Sequence, residues 1–575
     1  MLKLFRYLKS YRLVVAVTLG LVLLQTLAEL YLPTLMAEIV DKGIVNGDIG
    51  LILQTGGRML LVAAGGMVSM IVASYLSART AVGFGRDLRS HVFSRVESFS
   101  LNEFNQIGTA SLITRTTNDI TQVQTVLLMI IRMAAMAPLM CIGGVIMAVS
   151  KDPRLSLLLV VVIPVLGVTI GVIAVKGIPL FKEMQVKLDK INLVVREALT
   201  GIRVIRAFNR TEQEKQRFME ANYNFTDTAI RVNRIMAALM PVLMLVMNLT
   251  TISIVWFGGI RIDSGHMQVG DMMAFIQYAM QIMFSLIIFS MMFIMIPRAS
   301  ASAMRINELL DTVAEIKDPA VAVNPDQEKG LIEFRDVTFS YPGAERPAVS
   351  NISFFAGPGE VTAFIGGTGS GKSTLMNLIP RFYDVDSGAI LIDSIDVRQM
   401  KQESLRAKIG YVPQKIALFS GSISENIRYG KEEAGEAAVV LAAAIAQADE
   451  FITAMQDGYA AIIAQGGANI SGGQKQRLAI ARALIRKPEI YIFDDSFSSL
   501  DFKTEARLRA ALREDTTRST VLIVAQRVST VMHADRIIVM EEGKIAGTGT
   551  HKELLERCTV YQEIVASQFS EEEIA

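Results

Sequence analysis

The sequence predicts an α-helical membrane bundle with six spans and long helical extensions beyond the membrane, fused to an α/β domain. The chain has 575 residues, which is too long for a single hydrophobic core. Hydrophobic residues account for 51% of it and charged residues for only 20%, and its mean hydropathy is +0.39. Soluble proteins rarely combine these values, so part of the chain is expected to lie in a membrane, with the charge concentrated elsewhere.

The overall composition excludes several classes of function. A net charge of +1 and a pI of about 7.7 indicate no basic surface of the kind that binds nucleic acid. The two cysteines, Cys141 and Cys558, show neither a disulfide framework nor metal-ligand spacing, and the four histidines are scattered. We therefore expect no nucleic-acid partner and no transition-metal chemistry.

Six apolar runs in the first half are long enough to span a membrane, because about 20 helical residues cross the hydrocarbon layer. They lie at 13–36, 58–78, 127–149, 155–175, 236–257 and 272–296. Basic residues precede the first run and fill the connections 79–126 and 176–235, whereas the other connections carry few. Because excess Lys and Arg marks the cytoplasmic side, we expect a multi-pass plasma-membrane protein whose N-terminus and C-terminal half are cytoplasmic. The first run is too long for a cleaved signal peptide and is interpreted as a retained span.

The two long connections keep apolar residues at helical spacing, as in 191–222, and therefore predict that the spans continue as helices. The tip of such a helical pair could dock on a neighbouring domain or could be a solvated hairpin. The proline-bearing segment 312–330 lacks periodicity and predicts a linker. It would separate a transmembrane domain at 1–311 from an α/β domain at 331–575, where short β-branched runs alternate with helical stretches.

A glycine-rich loop between a predicted strand and a predicted helix is typical of a Walker A nucleotide site. Its segment 366–373, GGTGSGKS, fits G-x-x-x-x-G-K-[ST]. In such a loop the backbone N–H groups face phosphates, the lysine supplies a positive charge and the serine hydroxyl binds Mg²⁺. The residues expected to bind ATP here are Gly366, Gly367, Thr368, Gly369, Ser370, Gly371, Lys372, Ser373 and Thr374.

A second phosphate-binding surface is predicted at 469–486, NISGGQKQRLAIARALIR, where a Ser-Gly-Gly turn opens a basic amphipathic helix. Ser471 can cap this helix, and the glycines let a phosphate approach its N-terminus. If the two surfaces lie apart in one domain, the simplest arrangement is two domains head to tail, with each contributing one surface to each of two ATP sites.

These motifs, in this order and spacing, resemble those of the ATP-binding cassette (ABC) proteins, and the resemblance covers essentially the whole chain. ISGGQ resembles the family's signature motif, and LITRTTNDI (112–120) and GIRVIRAF (201–208) resemble the intracellular-loop segments of six-span exporters. The resemblance implies an ATP-binding cassette fold for the C-terminal domain. It also implies that the signature residues contact ATP held by the opposite subunit; these are Ser471, Gly472, Gly473 and Gln474.

The same resemblance assigns further roles in ATP binding. Tyr341 in FSYPG would stack on adenine, and Gln414 in GYVPQK would be the Q-loop glutamine. Asp494 matches the Walker B aspartate, and Ser498-Ser-Leu-Asp501 resembles the D-loop that crosses the dimer. The implied cofactor is Mg²⁺, with Ser373, Gln414 and Asp494 as its ligands.

Two positions depart from the family pattern. The residue after the Walker B aspartate is normally a glutamate that polarises the attacking water, but here it is Asp495. The switch histidine is replaced by Gln526. An aspartate carboxylate is about 1 Å too short, and a displacement of that size can cost about 100-fold in rate. Gln526 can donate a hydrogen bond to phosphate but cannot become positively charged. Both changes leave binding intact and impair catalysis.

The signature motif, in contrast, is nearly complete. This asymmetry resembles the degenerate-site subunit of heterodimeric bacterial multidrug exporters. The expected partner is a second ABC half-transporter with an intact catalytic glutamate and switch histidine, whose competent site this chain's signature would complete. The alternatives are an ATP-gated channel, a regulatory ABC subunit and a homodimeric lipid flippase.

The membrane half suggests the class of cargo. Glu29 lies within the first span, and an intramembrane carboxylate is a candidate contact for a cationic cargo. Alternatively, Glu29 pairs with a basic group such as Arg132 or lines a water-filled cavity. We expect membrane lipids and small amphipathic or hydrophobic compounds, of multidrug or lipid-like type, to be the partners of this half.

Overall fold

The computed structural model describes residues 3–323 and 329–569. Residues 1–2 and 570–575, at the outer ends of the two predicted domains, and 324–328 of the predicted linker lie outside the described residues. The chain divides into two compact units. The first comprises Met1–Glu97 and Thr109–Thr312, and the second comprises Ser98–Gly108 and Val313–Ala575.

The first unit is helical, and six of its helices in the described ranges are long and apolar enough to cross a membrane. They are α1 (Leu4–Ile44), α2 (Ile49–Glu97), α4 (Thr109–Lys151), α5 (Leu157–Thr200), α7 (Thr211–Asp263) and α8 (Val269–Asp311). Five of them contain one of the predicted spans, and α5 begins two residues inside the predicted span 155–175; each helix continues beyond its span on at least one side. The connections predicted to be helical are therefore extensions of these helices. This confirms the predicted helical membrane domain.

Close packing between spans depends on small residues, as is common for membrane helices. A methyl group added at Gly143 of α4 would lie 2.4 Å from a methyl carbon of Leu30 in α1. One added at Gly144 would lie 2.7 Å from Cγ1 of Ile282 in α8. These glycines therefore let α4 approach both neighbouring helices, whereas large apolar side chains such as Leu61 and Trp256 are exposed on the outside of the unit.

The two loop tips are short helices, α3 (Leu101–Ile107) and α6 (Ile202–Ala207). Helix α3 begins with a capping box formed by Ser100 and Glu103. It belongs to the second unit, where the Glu315 backbone N–H donates to Oε1 of Glu103 at 2.9 Å and Asn105 Nδ2 donates to the Tyr383 hydroxyl at 3.4 Å. The first tip is thus docked by specific hydrogen bonds instead of being a solvated hairpin.

The second unit is an α/β domain with two main sheets. Its strands are β1 (Ile332–Phe339), β2 (Val349–Ala356), β3 (Val361–Gly366), β4 (Ser387–Ile392), β5 (Ile395–Asp396), β6 (Ile409–Val412), β7 (Gly421–Ser422), β8 (Ile462–Ile463), β9 (Ile490–Asp494), β10 (Thr520–Val524), β11 (Arg536–Glu541) and β12 (Lys544–Gly549). Its remaining α-helices are α9 (Lys372–Leu378), α10 (Gln402–Ala407), α11 (Ile423–Arg428), α12 (Glu436–Ile445), α13 (Asp449–Thr453), α14 (Gly472–Leu484), α15 (Phe502–Asp515), α16 (Val528–Val531), α17 (His551–Arg557) and α18 (Thr559–Ala566).

The six-stranded sheet positions the candidate site. Its order is β12-β11-β3-β10-β9-β6, and all pairs except β11–β12 are parallel. Val524 of β10 is in register with Phe364 of β3 and with Asp494 of β9. Because parallel strands end at the same edge, the residues that follow β3, β9 and β10 are brought together there.

The segment predicted as a linker is partly packed against the second unit. Ala314 and Ile316 are buried, and the Val323 N–H donates to the Gln399 carbonyl at 3.0 Å. Asp318 also accepts hydrogen bonds from the backbone and side chain of Gln402. The lack of periodicity in the predicted linker therefore indicates irregular backbone structure, but it does not mean that the segment is unpacked.

Candidate functional site

The Walker A loop leaves β3 and enters α9 through two glycines that neighbouring backbone packs against closely. A Cβ at Gly366 would lie 2.1 Å from the Met540 carbonyl oxygen, and one at Gly371 would lie 2.7 Å from the Ala348 carbonyl oxygen. Gly371 also has a φ of 95°, in the region that side chains disfavour. By contrast, Gly367 and Gly369 face open space. The loop is therefore fixed against β2 and β11 and is open on its other side.

Lys372 is folded into this loop. Its Nζ donates to the carbonyl oxygens of Gly366 at 2.9 Å and Gly367 at 2.7 Å, and to Ser370 Oγ at 3.1 Å. Burial lowers the pKa of Lys372, and the nearby carboxylates of Asp494 and Asp495 partly oppose this effect. The amine thus lies inside the loop whose open face would receive the phosphates.

An oxygen-rich pair suitable for Mg²⁺ lies beside the lysine. Ser373 Oγ donates to Asp494 Oδ1 at 2.9 Å. Burial raises the pKa of Asp494, and the negative charge of Asp495 adds to the effect. A hydroxyl and a buried carboxylate are the hard oxygen ligands that Mg²⁺ prefers, so these residues fit the metal. When bound, Mg²⁺ would neutralise charge on the terminal phosphates.

The Asp495 carboxylate is hydrogen-bonded to two other predicted site residues, Gln414 and Gln526. Gln526 Nε2 donates to Asp495 Oδ2 at 3.3 Å, and Gln414 Nε2 donates to the same oxygen at 3.4 Å. Both hydrogen bonds are long for N–H···O. Burial raises the pKa of Asp495. The structure therefore places the amides of Gln414 and Gln526 at one carboxylate oxygen of Asp495.

A cavity of about 310 Å³ joins these groups. Its lining residues are Tyr341, Ala348, Thr368, Gly369, Ser370, Gly371, Lys372, Ser373, Thr374, Gln414, Asp494, Asp495, Val524 and Gln526. The Tyr341 ring packs edge-on against Phe339 and Tyr383, and its hydroxyl lies 3.2 Å from Thr374 Oγ1. All of the predicted ATP-binding residues except Gly366 and Gly367 therefore line this one open-sided cavity.

The signature residues do not line that cavity. Ser471 caps α14: its hydroxyl accepts from the Gln474 N–H at 3.3 Å, while the Ser471 N–H donates to Gln474 Oε1 at 2.9 Å. Asp501 caps α15 by accepting from the Thr504 N–H at 2.9 Å. Within the described residues, the predicted Walker and signature surfaces are therefore separate. This separation is the condition under which two domains would pair head to tail to form two ATP sites.

Two further residues link these motifs and were not predicted from the sequence. The Gln476 side chain is buried, accepts from the Ser499 N–H at 3.0 Å and donates to Ser498 Oγ at 3.3 Å, so it joins α14 to the D-loop. Arg527 Nη2 donates to the Ser498 carbonyl at 3.0 Å. Arg527 could have been identified from the sequence by its position directly after Gln526. No sequence pattern sets Gln476 apart from the other polar residues of α14.

In the membrane half, the structure does not bring Glu29 and Arg132 together. Glu29 Oε1 accepts from Gln25 Nε2 at 2.9 Å, and its backbone carbonyl accepts from Gln281 of α8 at 3.3 Å. Among the residues described, Glu29 and Arg132 form no ion pair with each other. Arg132 lies in a π-helical turn, Ile130–Ala134, within α4.

Each of the two units contains a region that matches a known protein family. Residues 15–286 match the model of the ABC transporter transmembrane region, and 349–498 match the ABC transporter model. The chain is 44% identical to an uncharacterized ABC transporter ATP-binding protein of Mycobacterium tuberculosis, over 98% of this chain and 97% of that protein. It is 30% identical to the ATP-dependent lipid A-core flippase of Chromobacterium violaceum, over 99% and 97% of the two chains. The solved structure of a bacterial Atm1-family ABC exporter with ATP bound matches with a TM-score of 0.81 and 27% identity, over 97% of this chain and 99% of that one.

Proposed function

The chain belongs to the ABC exporter family, as a half-transporter that couples ATP hydrolysis to transport, and on this basis we propose that it is one half of a heterodimeric exporter. Its own Walker surface would form the slow ATP site, and its signature would complete a competent site on a second ABC half-transporter. The cargo would be amphipathic or hydrophobic compounds moved across the plasma membrane, with the N-terminus and the ATP-binding domain on the cytoplasmic side.

The observation that carries this proposal is the environment of Asp495. Its short carboxylate already accepts hydrogen bonds from Gln414 and Gln526 through one oxygen. Gln526 cannot stabilise developing negative charge as a protonated imidazole would, because glutamine is neutral at all pH values. The Lys372, Ser373 and Asp494 side chains are nevertheless arranged to hold ATP with Mg²⁺. This combination favours retention of nucleotide with slow hydrolysis.

Two features support a second chain. The signature surface lies apart from the Walker cavity of the same chain and would otherwise have no nucleotide to contact. The second loop tip exposes large apolar side chains, including Val204 of α6 and Phe208, the residue that follows α6. Exposed apolar residues at a helical tip are typical of a docking surface.

The cargo class rests on the membrane unit. An apolar cavity of about 610 Å³ lies among α1, α2 and α4, with Leu27, Tyr31 and Met147 in its lining. Glu29 lies on α1 next to the buried Gln25, so it would offer a negative charge to a cationic group. Glu29 is not among the residues that line the cavity, so the two features would act on separate parts of a compound that has an apolar body and a positive charge. Arg132 is a second candidate contact for cargo.

A homodimeric lipid flippase is the second candidate, favoured by the match to the lipid A-core flippase along nearly the whole chain. In that case two copies of this chain would make both ATP sites. Transport of cargo against a gradient would exclude the remaining alternatives, an ATP-gated channel and a regulatory subunit.

The test is the ATPase activity of the purified full chain, alone and with a partner carrying glutamate after its Walker B aspartate. Because Asp495 is about 1 Å too short, we expect the chain alone to turn over about 100-fold more slowly than the pair. Lys372→Ala in the chain alone controls for contaminating ATPases and should remove the residual rate. Equal rates for chain and pair would overturn the heterodimer and leave the homodimer.

A further inference from the structure

Gln568, near the end of the described residues, contacts the segment that carries Gln526. After α18, the Gln568 side chain lies against residues 526–528. Its Nε2 donates to the Gln526 carbonyl oxygen at 2.8 Å, and its Oε1 accepts from the Val528 N–H at 2.8 Å. These two bonds are shorter than the 3.3 Å contact from Gln526 to Asp495. One amide thus fixes the backbone on both sides of Arg527.

The chemistry of these contacts requires an amide. Val528 begins α16, so its N–H has no partner within the helix and needs an external acceptor. The Gln526 carbonyl needs a donor. A carboxylate could satisfy only the first of these groups, and an apolar side chain could satisfy neither.

Gln568 is exposed and lies two residues after α18, so its position depends on how that helix is packed. Tyr561 and Val565 of α18 are buried in the same hydrophobic core as Val528 and Val531 of α16. The Tyr561 hydroxyl is also hydrogen-bonded to His551 at 2.7 Å. Side chains held by a packed scaffold can position a site more accurately than a loop alone.

We infer that Gln568 is a positioning residue for ATP hydrolysis: its amide orients the backbone of 526–528 and thereby directs the Gln526 side chain toward Asp495. The Arg527 side chain also anchors this segment, by donating to the Ser498 carbonyl. The inference rests on the proposed role of Gln526 as the switch residue.

The test compares single-turnover ATP hydrolysis by the full chain in lipid nanodiscs for Gln568→Met and Gln568→Glu. The first removes both hydrogen bonds, and the second removes only the donor. We expect each to lower the rate roughly tenfold, because a small misplacement of a reacting group is costly. ATP affinity and the melting temperature should not change. Gln562→Met is the matched control, because Gln562 lies on α18, the helix that leads to Gln568, but donates to the Leu555 carbonyl. Its rate should equal that of the wild type.

A double-mutant cycle with Gln526→Ala separates positioning from general structure. If Gln568 acts through Gln526, the combined variant Gln526→Ala with Gln568→Met should be no slower than Gln526→Ala alone. A normal rate for Gln568→Met, with a slow Gln526→Ala, would overturn the inference and leave the proposed site intact. Effects that multiply, or a lowered melting temperature, would overturn it in favour of a structural role. A normal rate for Gln526→Ala would overturn both assignments.

Discussion

At the residue scale, the backbone of Asp495 is fixed independently of its side chain. Its φ is 50°, a left-handed conformation that aspartate adopts more readily than most residues. Its N–H donates to the Val524 carbonyl at 3.0 Å, which ties it to the adjacent strand. Lengthening the side chain by one methylene would therefore move the carboxylate outward without needing to move the main chain.

We predict that Asp495→Glu combined with Gln526→His raises hydrolysis at this chain's Walker site. The longer carboxylate can reach a water molecule, and histidine can become positively charged near phosphate. Single-turnover hydrolysis should rise by about tenfold or more, since the lost reach corresponds to roughly 100-fold. Asp495→Asn is the size-matched control and should lower the rate. An unchanged rate in the double variant would show that other residues make this site slow.

The sequence predicted that Asp495 and Gln526 belong to one site, although 31 positions separate them. The structure brings them within hydrogen-bonding distance because β9 and β10 are parallel neighbours. It also adds Gln414 to the same oxygen, which motif spacing could not reveal. That contact depends on β6 lying beside β9, and strand order is set by tertiary packing.

At the element scale, the signature helix α14 and the D-loop form a single packed corner. A Cβ at Gly473 would lie 2.9 Å from the Ser499 carbonyl oxygen, closer than side chains approach backbone. A Cβ at the preceding Gly472 would lie 3.7 Å from the Ser499 side chain, an ordinary contact. The two glycines therefore differ in packing although both belong to the same motif.

We predict that Gly473→Ala destabilises the protein and Gly472→Ala does not. Both changes favour helix by about 0.5–1 kcal/mol, since both positions are in the first turn of α14. Only Gly473→Ala must displace the D-loop backbone, and overpacking of this kind costs about 1–3 kcal/mol. Thermal unfolding of the full chain should show a lower melting temperature for Gly473→Ala alone. Equal melting temperatures for the two variants would mean that the D-loop backbone can move to accommodate the added methyl group without loss of stability.

Elements with strong periodicity were predictable, and elements defined by long-range contacts were not. The helical extensions follow from apolar spacing, as in 191–222, because that spacing specifies a helix face whatever it packs against. The assignment of α3 to the second unit depends on hydrogen bonds to Glu315 and Tyr383, more than 200 residues away. Local sequence carries no signal for such contacts.

At the scale of the whole molecule, the six-span architecture follows from composition, since lipid-facing helices must be apolar. Whether a second, different chain completes the assembly depends on the surface that opposes each ATP site. This chain offers a nearly complete signature motif, with Ser471, Gly472 and Gly473 at the N-terminus of α14. Under the proposed function, Asp495 is a weaker base than glutamate would be. The two ATP sites of the pair are therefore expected to respond unequally to mutation.

We predict this inequality in the complex with a glutamate-bearing partner. Asp495→Asn should lower overall ATPase by less than about twofold, whereas replacing the partner's glutamate by glutamine should lower it by about 100-fold or more. Lys372→Ala should act differently, by weakening nucleotide binding at the slow site and so the closed dimer that the competent site needs. Steady-state ATPase and bound-nucleotide content of each complex distinguish these effects. If Asp495→Asn stops the enzyme as completely as loss of the partner's base, Asp495 is a working catalytic residue and both sites hydrolyse ATP.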